Sequence, residues 1–567
     1  MTDPTRPLLT ATTARLDHMR PTLSQAQIDR IAKLGRRRQV TDGEVLVETG
    51  TQTNRLFVVI SGELTVIRHS DVAAAGMEEV VIVYGPGQFN GEVSILSGRR
   101  GFVEIRATKA GEVLEVDRDH LLTLVQTDSD LSEIMMRAFI LRRVEMIARN
   151  VGDVVLIGSI HMPETLRIQE FLTRNGHPFT VIDLDRHADV QDVLDRFHIT
   201  IAETPVVICR GESVLRNPTN QQIAECLGFN ESIDQTQVRD LLVIGAGPAG
   251  LAAAVYGASE GLDVLVLEPN SPGGQAGSTS KIENYLGFPA GISGQELAGR
   301  AYTQAQKFGA EVLIAQGATR LKCDRTPYVI EIDGGSRVSA RVVIVATGAE
   351  YRRLPLEDIT RFDGRGVYYS ATAVEARLCS DSEVIVVGGG NSAGQAAVFL
   401  SQTAAHVHML VRSDGLAETM SRYLIRRIQE NPDITLHTRT EITALGGTEQ
   451  LERVQWRDNQ SNTTNDCDVA HVFVMTGANP NTGWLNGCLA LDEHGFIKTG
   501  PALSPDDLRV AKWPPGRAPY LLETSLPGVF ATGDVRSTSI KRVASAVGDG
   551  SIAVSFVHQV LGEQGRR

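Results

Sequence analysis

The spacing of apolar positions changes along the chain. Between residues 40 and 125 apolar and polar positions alternate in short runs interrupted by Gly43, Gly50, Gly62, Gly85 and Gly87. That pattern predicts a small antiparallel β-roll. A helical period follows through Leu131, Ile134, Met135, Ala138, Leu141 and Met146, which predicts a helix with one face for the roll or for a partner subunit. From Asp153 the order becomes strand (to Ile157), helix (through Leu166, Phe171 and Leu172) and strand (Phe179 to Asp183), with a further core strand at Val206–Ile208. The polar stretch Asn230 to Gln237 reads as a linker. Beyond Asp240 the apolar runs Leu241–Ile244, Val264–Leu267, Glu383–Val387 and His408–Val411 predict strands, the first and third each leading into a glycine-rich turn and a helix.

A chain of 567 residues, 42% hydrophobic, is long enough for about three or four cores, so a multidomain globular protein is expected. The formal net charge of -13 argues against a nucleic-acid or anionic-membrane binder, which needs a basic face, and Arg36–Arg38 reads as solvated surface. Six cysteines (Cys209, Cys226, Cys323, Cys379, Cys467, Cys488) are scattered singly, which predicts neither a disulfide framework nor a metal site. The start, Met1 to Pro7, lacks the basic-then-apolar order of a signal peptide, so a cytoplasmic chain is expected. The uncharged run Leu241–Ala258 holds four glycines and a proline, and is read as a buried strand and helix rather than a membrane span.

Two turns carry the candidate chemistry. The first, Gly245-x-Gly247-x-x-Gly250, lies between a strand and an alanine-rich helix, and the next strand ends at Glu268. Glycines there let the backbone and helix N-terminus approach a pyrophosphate, and the acidic residue can accept both hydroxyls of an adenosine ribose. The second fingerprint runs from Gly388 through Gly390, Asn391 and Ser392 to Ala393. Its second strand ends without an acid and is followed by Arg412, which can pair with a 2'-phosphate that an acid would repel, so NADPH is expected over NADH. Two such units suggest a flavin and a nicotinamide brought together, yet no Cys-x-x-Cys occurs anywhere in the chain.

These fingerprints stand with Gly273–Gly277 (including Gly274 and Gln275), Ile282–Tyr285 (including Asn284), Ala346-Thr347-Gly348 and Gly528–Asp534. Together they resemble the low-molecular-weight thioredoxin reductase family over about residues 240 to 567. The resemblance implies FAD held by Gly245, Gly247, Pro248, Ala249, Gly250, Glu268, Gly274, Gln275, Asn284, Ala346, Thr347, Gly348, Gly533 and Asp534, with Asp534 on the ribityl chain. It further implies that Val543 to Gly550, beginning Val543-Ala544, lies under the flavin ring. A nicotinamide domain holding NADPH through Gly388, Gly390, Asn391, Ser392, Ala393 and Arg412 would be inserted between two FAD-binding segments. The family's phosphate-binding cluster has three arginines; here Arg412 remains, Ala417 replaces another, and Arg422 is a substitute one helical turn on. Where the family carries its redox dithiol and aspartate, this chain reads Ser370-Ala371-Thr372-Ala373-Val374. Serine and alanine in place of the cysteines exclude flavin-to-dithiol transfer at that place, and no catalytic acid or nucleophile is assigned.

About the first 150 residues resemble the cyclic-nucleotide-binding family through Phe89–Arg100. There Gly91 and Glu92 match the ribose-binding pair, but the phosphate-binding arginine does not register cleanly with Arg99 or Arg100. Both a cyclic nucleotide site and a roll that has lost its ligand stay open. Residues 152 to 230 resemble the thioredoxin and glutaredoxin fold, with Met162–Thr165 in place of the redox motif and Thr204-Pro205 at the cis-proline, so this module should be redox-silent.

The expected architecture is therefore an N-terminal antiparallel β-roll with helices (1–150), a middle α/β thioredoxin-like domain (152–230), and a C-terminal Rossmann-like flavoprotein with two dinucleotide-binding domains. In the last part FAD takes 238–365 and 485–567, and NAD(P)H takes 366–484. The function read from it is a FAD-dependent NAD(P)H oxidoreductase, a homodimer by the resemblance, delivering electrons to a redox protein, quinone or disulfide and regulated through the roll. The alternative is a non-enzymatic flavin and nucleotide sensor or scaffold.

Overall fold

A computed structural model describes residues 17–51, 54–70, 77–92, 94–97, 103–148, 154–185, 200, 203–209, 213–230, 233–279, 281–356, 359–416, 420–448, 450–485, 487–514 and 516–565. The chain divides into two compact units, one of Met1–Gly158, Gly176–Glu231 and Gln306–Glu311, the other of Ser159–Asn175, Ser232–Ala305 and Val312–Arg567.

In the first unit the alternating region forms a five-stranded antiparallel sheet, in which Glu104–Asp117 pairs with Arg36–Val40, Val45–Val47 and Arg55–Ser70, and Arg55–Ser70 pairs with Met77–Tyr84. The run Leu56–Val59 is buried on both faces. Leu56 and Val58 pack with Leu131, Met135, Ala138 and Phe139 of the helix Ser129–Ala148, while Phe57 and Val59 pack inside the roll with Tyr84, Ile105 and Val113. One strand thus joins two small cores, because successive side chains point to opposite faces. The same unit holds a four-stranded sheet in which Val154–Gly158 lies between parallel Thr180–Asp183 and antiparallel Val206–Cys209, with Ser213–Arg216 at the edge. The Thr204-Pro205 bond is cis, as the sequence suggested. The helix Asn220–Leu227 beside it starts at a capping box between Thr219 and Gln222 and stops at Gly228 in the left-handed conformation.

The second unit is built on two further sheets. The first has seven strands, with Glu311–Ile314, Val264–Glu268, Val238–Ile244, Arg337–Val345 and Val529–Ala531 parallel or adjoining and two antiparallel strands at one edge. The second has five parallel strands, with Glu383–Val387 central. Their buried runs are continuous rather than alternating, since helices cover both faces of such sheets. The run Leu241–Ala258 is divided between the strand Val238–Ile244 and the helix Pro248–Ser259. Among the described residues no helix is long and apolar enough to cross a membrane. Chain passes between the two sheets through a pair of antiparallel strands, Ala349–Tyr351 and Ala478–Pro480.

Two of the six cysteines are paired, against the expectation from their scatter. Cys323 and Cys488 form a disulfide across 165 residues of sequence. The end of strand Ala318–Lys322 and the turn after Gly483–Leu485 pack on the same core, which also takes up Trp484. Spacing along the chain cannot reveal a pair assembled by tertiary packing; the other four cysteines are in no disulfide. Closing so long a loop restricts the unfolded chain, so Cys488→Ser should lower the unfolding free energy of this unit by about 2–4 kcal/mol. Denaturant titration of the variant, with a non-reduced peptide map of the parent searched for the Cys323–Cys488 link, checks this.

Candidate dinucleotide-binding site

Both fingerprints open on one cavity of about 1480 Å3 in the second unit. At the first, the strand Val238–Ile244 delivers Gly245 into a turn with φ +104, and the helix that follows starts directly above it. A Cβ on Gly250 would lie 1.8 Å from the Gly245 carbonyl oxygen, so the helix can sit on the turn only without a side chain there. Gly247 caps the helix and Pro248 opens it, where a missing N–H costs nothing. A Cβ on Gly247 would meet only Gly274 Cα, at 4.0 Å, which leaves the helix N-terminus accessible to a phosphate.

Glu268 ends the next strand and is buried. Its Oε2 accepts from Ala246 N at 2.8 Å, and its Oε1 from Asn270 N at 2.9 Å and Ser271 N at 3.1 Å. Burial raises its pKa, opposed by these amides and by the nearby Arg174 charge. Three of its roughly four lone-pair sites are taken by these amides, and Oε2 keeps acceptor capacity for a ribose hydroxyl. Asp534 likewise lines the cavity with its pKa raised by burial, and Lys541 Nζ donates to its carbonyl at 3.0 Å. Thr347 and Asn481 exchange hydrogen bonds, Oγ1 to the Asn481 carbonyl at 2.9 Å and Nδ2 to the Thr347 carbonyl at 2.9 Å, and so tie the Ala346–Gly348 loop to the returning chain.

At the second fingerprint the strand Glu383–Val387 leads into Gly388, φ +142, and the helix Asn391–Leu400 begins at Gly390, where an added Cβ would meet nothing within 4 Å. Asn391 Oδ1 accepts from Ser421 N at 2.9 Å and steadies the start of the helix Arg422–Gln429.

Of the residues expected on the FAD side, Gly245, Gly247, Pro248, Ala249, Glu268, Gly274, Gln275, Asn284, Ala346, Thr347, Gly348, Gly533, Asp534 and Val543 line the cavity. Gly388, Gly390, Asn391, Ser392 and Arg412 line it on the nicotinamide side. Gly250, Ala544, Ala393 and Arg422 do not line it; Gly250 and Ala393 are packing positions, and Arg422 is exposed at the start of its helix. Ala417 lies outside the described residues. The cavity also gathers Arg174, Arg352, Arg353, Lys541 and Arg542, which no fingerprint signals.

The stretch Ser370–Val374 has a structural role. The Thr372 amide donates to the Glu375 carboxylate at 2.9 Å, Thr372 Oγ1 donates to it as well, and together they cap the helix Ala373–Leu378. Ser370 is not among the cavity-lining residues. Cys379 is fully buried, and burial pushes its thiol up to about 11. Neither member of the Cys323–Cys488 pair lines the cavity.

In the first unit, Gly91 and Glu92 are engaged by the helix Ser129–Ala148. Arg142 Nη1 donates to the Gly91 carbonyl at 2.8 Å, and Arg143 Nη1 approaches Glu92 Oε2 at 3.4 Å. Arg142 is buried between the Tyr84 and Phe89 rings. Arg99 and Arg100 lie outside the described residues. No group of three or more His, Cys, Asp or Glu able to hold a metal occurs among the described residues.

Two dinucleotide folds opening on one cavity define a nucleotide-dependent oxidoreductase. The comparison with known proteins makes the family explicit. A family model described as pyridine nucleotide-disulphide oxidoreductase matches residues 239–550, and one described as cyclic nucleotide-binding domain matches residues 37–128. Thioredoxin reductase of Mycolicibacterium smegmatis is 34% identical over 334 residues, which cover 59% of this chain and 99% of that protein. Thioredoxin reductase of Escherichia coli O157:H7 is 34% identical, covering 58% and 97%. The crystal structure of Lactococcus lactis thioredoxin reductase (FR conformation) superposes with a TM-score of 0.51 at 27% identity, covering 57% of this chain and 99% of that one. The chain belongs to the pyridine nucleotide-disulphide oxidoreductase family, with a cyclic nucleotide-binding domain at its N-terminal end. It is a flavoprotein oxidoreductase whose cofactors are FAD and NADPH, and the open helix N-termini and the buried Glu268 fit two dinucleotides.

Two outcomes test this geometry. Gly250→Val would drive a side chain into the Gly245 carbonyl, so the purified variant should carry no flavin absorbance while the roll stays folded. For Cys379, a pKa of about 11 leaves about a thousandth of the thiol ionised at pH 8. Alkylation of Cys379 in the native chain should therefore be negligible at pH 8, and its intrinsic rate should rise roughly tenfold per pH unit until about 11.

Proposed function

We propose that this chain is a FAD-dependent NADPH oxidoreductase that passes electrons to an acceptor outside its own sequence, a redox protein, a quinone or an external disulfide. The observation that carries the reading is the pairing of one shared cavity for both fingerprints with a capped helix, Thr372 on Glu375, where a dithiol would stand. When bound, FAD and NADPH supply hydride transfer itself, which requires orientation and no protein nucleophile. The residues of this chain then have three tasks. The helix N-termini at Gly247 and Gly390 receive the pyrophosphates, and Glu268 accepts from the adenosine ribose. Arg412, exposed at the cavity edge, pairs with the 2'-phosphate that distinguishes NADPH from NADH.

In this reading FAD occupies 238–365 and 485–567, the nicotinamide part 366–484, and the chain acts as a homodimer. The residues 152–230 form a redox-silent thioredoxin-like module that docks a partner, and the roll of residues 1–150 regulates the enzyme. The cysteines support an external acceptor, since none of them lines the cavity: Cys209 and Cys379 are buried, Cys226 and Cys467 are half-buried, and Cys323 and Cys488 are paired with each other.

Anaerobic titration with NADPH should bleach the flavin band with one equivalent of nucleotide per FAD. A flavin left oxidised by both NADPH and NADH would assign the chain to the sensor class. Arg412→Ala should lower the NADPH-over-NADH preference, read as the ratio of kcat/KM for flavin reduction, by about tenfold through loss of one charge-assisted contact.

A further inference from the structure

The helix Pro163–Arg174 follows the first strand of the middle sheet in sequence, yet Ser159–Asn175 belongs to the compact unit that contains the cofactor cavity. Its C-terminal end is fixed there by three hydrogen bonds. Arg174 Nη2 donates to the Gly274 carbonyl at 2.7 Å, Asn175 Nδ2 to the Asn270 carbonyl at 3.4 Å, and Gln295 Nε2 to the Thr173 carbonyl at 2.6 Å. Gly274 and Asn270 line the cavity together with Glu268, and Arg174 lines it with them.

The setting of this guanidinium is unusual for a surface arginine. Its side chain is 14% exposed, and Glu170 lies 3.3 Å from Nη1. Nε is buried with no hydrogen-bond partner. Its charge acts on the Glu268 carboxyl, which places the two groups at the same end of the cavity. That end is where a dinucleotide would put its adenosine ribose and pyrophosphate, because Glu268 and the helix N-terminus at Gly247 are there. The other cations of the lining are placed elsewhere. Lys541 is bonded to Asp534, Arg352 to Asn479 and Arg353 to Asp363, Arg542 stands at the N-cap of the helix Val543–Glu563, and Arg412 follows the second nucleotide fold. The first fingerprint itself offers a phosphate only backbone amides, and Pro248 contributes none.

The geometry points to Arg174 as an FAD-binding residue, its guanidinium contacting the adenosine diphosphate half of the cofactor. Residues 159–175 thereby form one wall of the FAD site, a task that requires no thiol and gives the cysteine-free segment a function. The inference rests on the assignment of FAD to the first fingerprint. FMN, which lacks the adenosine half, provides the control.

The test uses the full chain stripped of flavin, with FAD and FMN rebinding followed by flavin fluorescence. Arg174→Ala should raise the Kd for FAD by about tenfold or more, the scale of one charge-assisted hydrogen bond, and leave the Kd for FMN unchanged. Arg174→Gln, which keeps most of the packing volume, should weaken FAD in the same direction. Glu170→Gln removes the neighbouring carboxylate but keeps the guanidinium, and should bind FAD at least as tightly as the parent. Unchanged FAD affinity in both Arg174 variants would overturn the inference, as would equal weakening of FAD and FMN. If the parent itself rebinds no FAD, the flavin assignment fails first.

Discussion

Backbone laid against backbone is the constraint on which the second unit depends. The helix Pro248–Ser259 sits on the Gly245 turn because Gly250 has no side chain, and the helix Val543–Glu563 approaches it from the other side through Gly550. A Cβ on Gly550 would fall 2.1 Å from the Ala249 carbonyl oxygen. Both contacts exclude every residue larger than glycine, and together they set how close the C-terminal helix comes to the nucleotide turn. Gly533, beside Ala249 and Ala546, brings the Asp534 loop into the same stack. The cofactor cavity is the space left when these close-packed layers end.

The two nucleotide folds were legible in the sequence because their chemistry is local. A strand, three spaced glycines, a helix and an acid lie within about 30 residues, and each signal depends only on its neighbours. The helix after the roll was legible from its period, and Leu131, Met135 and Ala138 are buried as that period requires. What sequence could not supply were the residues assembled from distant segments. Arg174, Arg352, Arg353 and Lys541 reach the cavity from loops or helix ends with no common spacing. The Cys323–Cys488 pair escaped for the same reason, and so did the engagement of Gly91 by Arg142, 51 residues later. Arg422 shows the opposite failure. Its position in the sequence suited a phosphate contact, but the helix it opens points it to solvent.

The stretch Ser370–Val374 serves as the start of a helix. A threonine and a glutamate three residues apart form a helix start, and the Glu375 carboxylate satisfies the Thr372 amide. Burial pushes the Glu375 carboxyl up, while its bonds to Thr372 hold it down. No cysteine stands at this place.

The interleaving of the two units changes what a domain boundary means in this chain. The family match begins at residue 239, and a boundary drawn there would appear to enclose a whole flavoprotein. Yet Ser159–Asn175 lies upstream of that line and packs inside the downstream unit. A polypeptide begun at residue 232 would retain every glycine of both fingerprints and still expose Asn270, Gly274 and Gln295 along the seam that this helix covers. Evolutionary ancestry and physical wholeness therefore divide this molecule at different points.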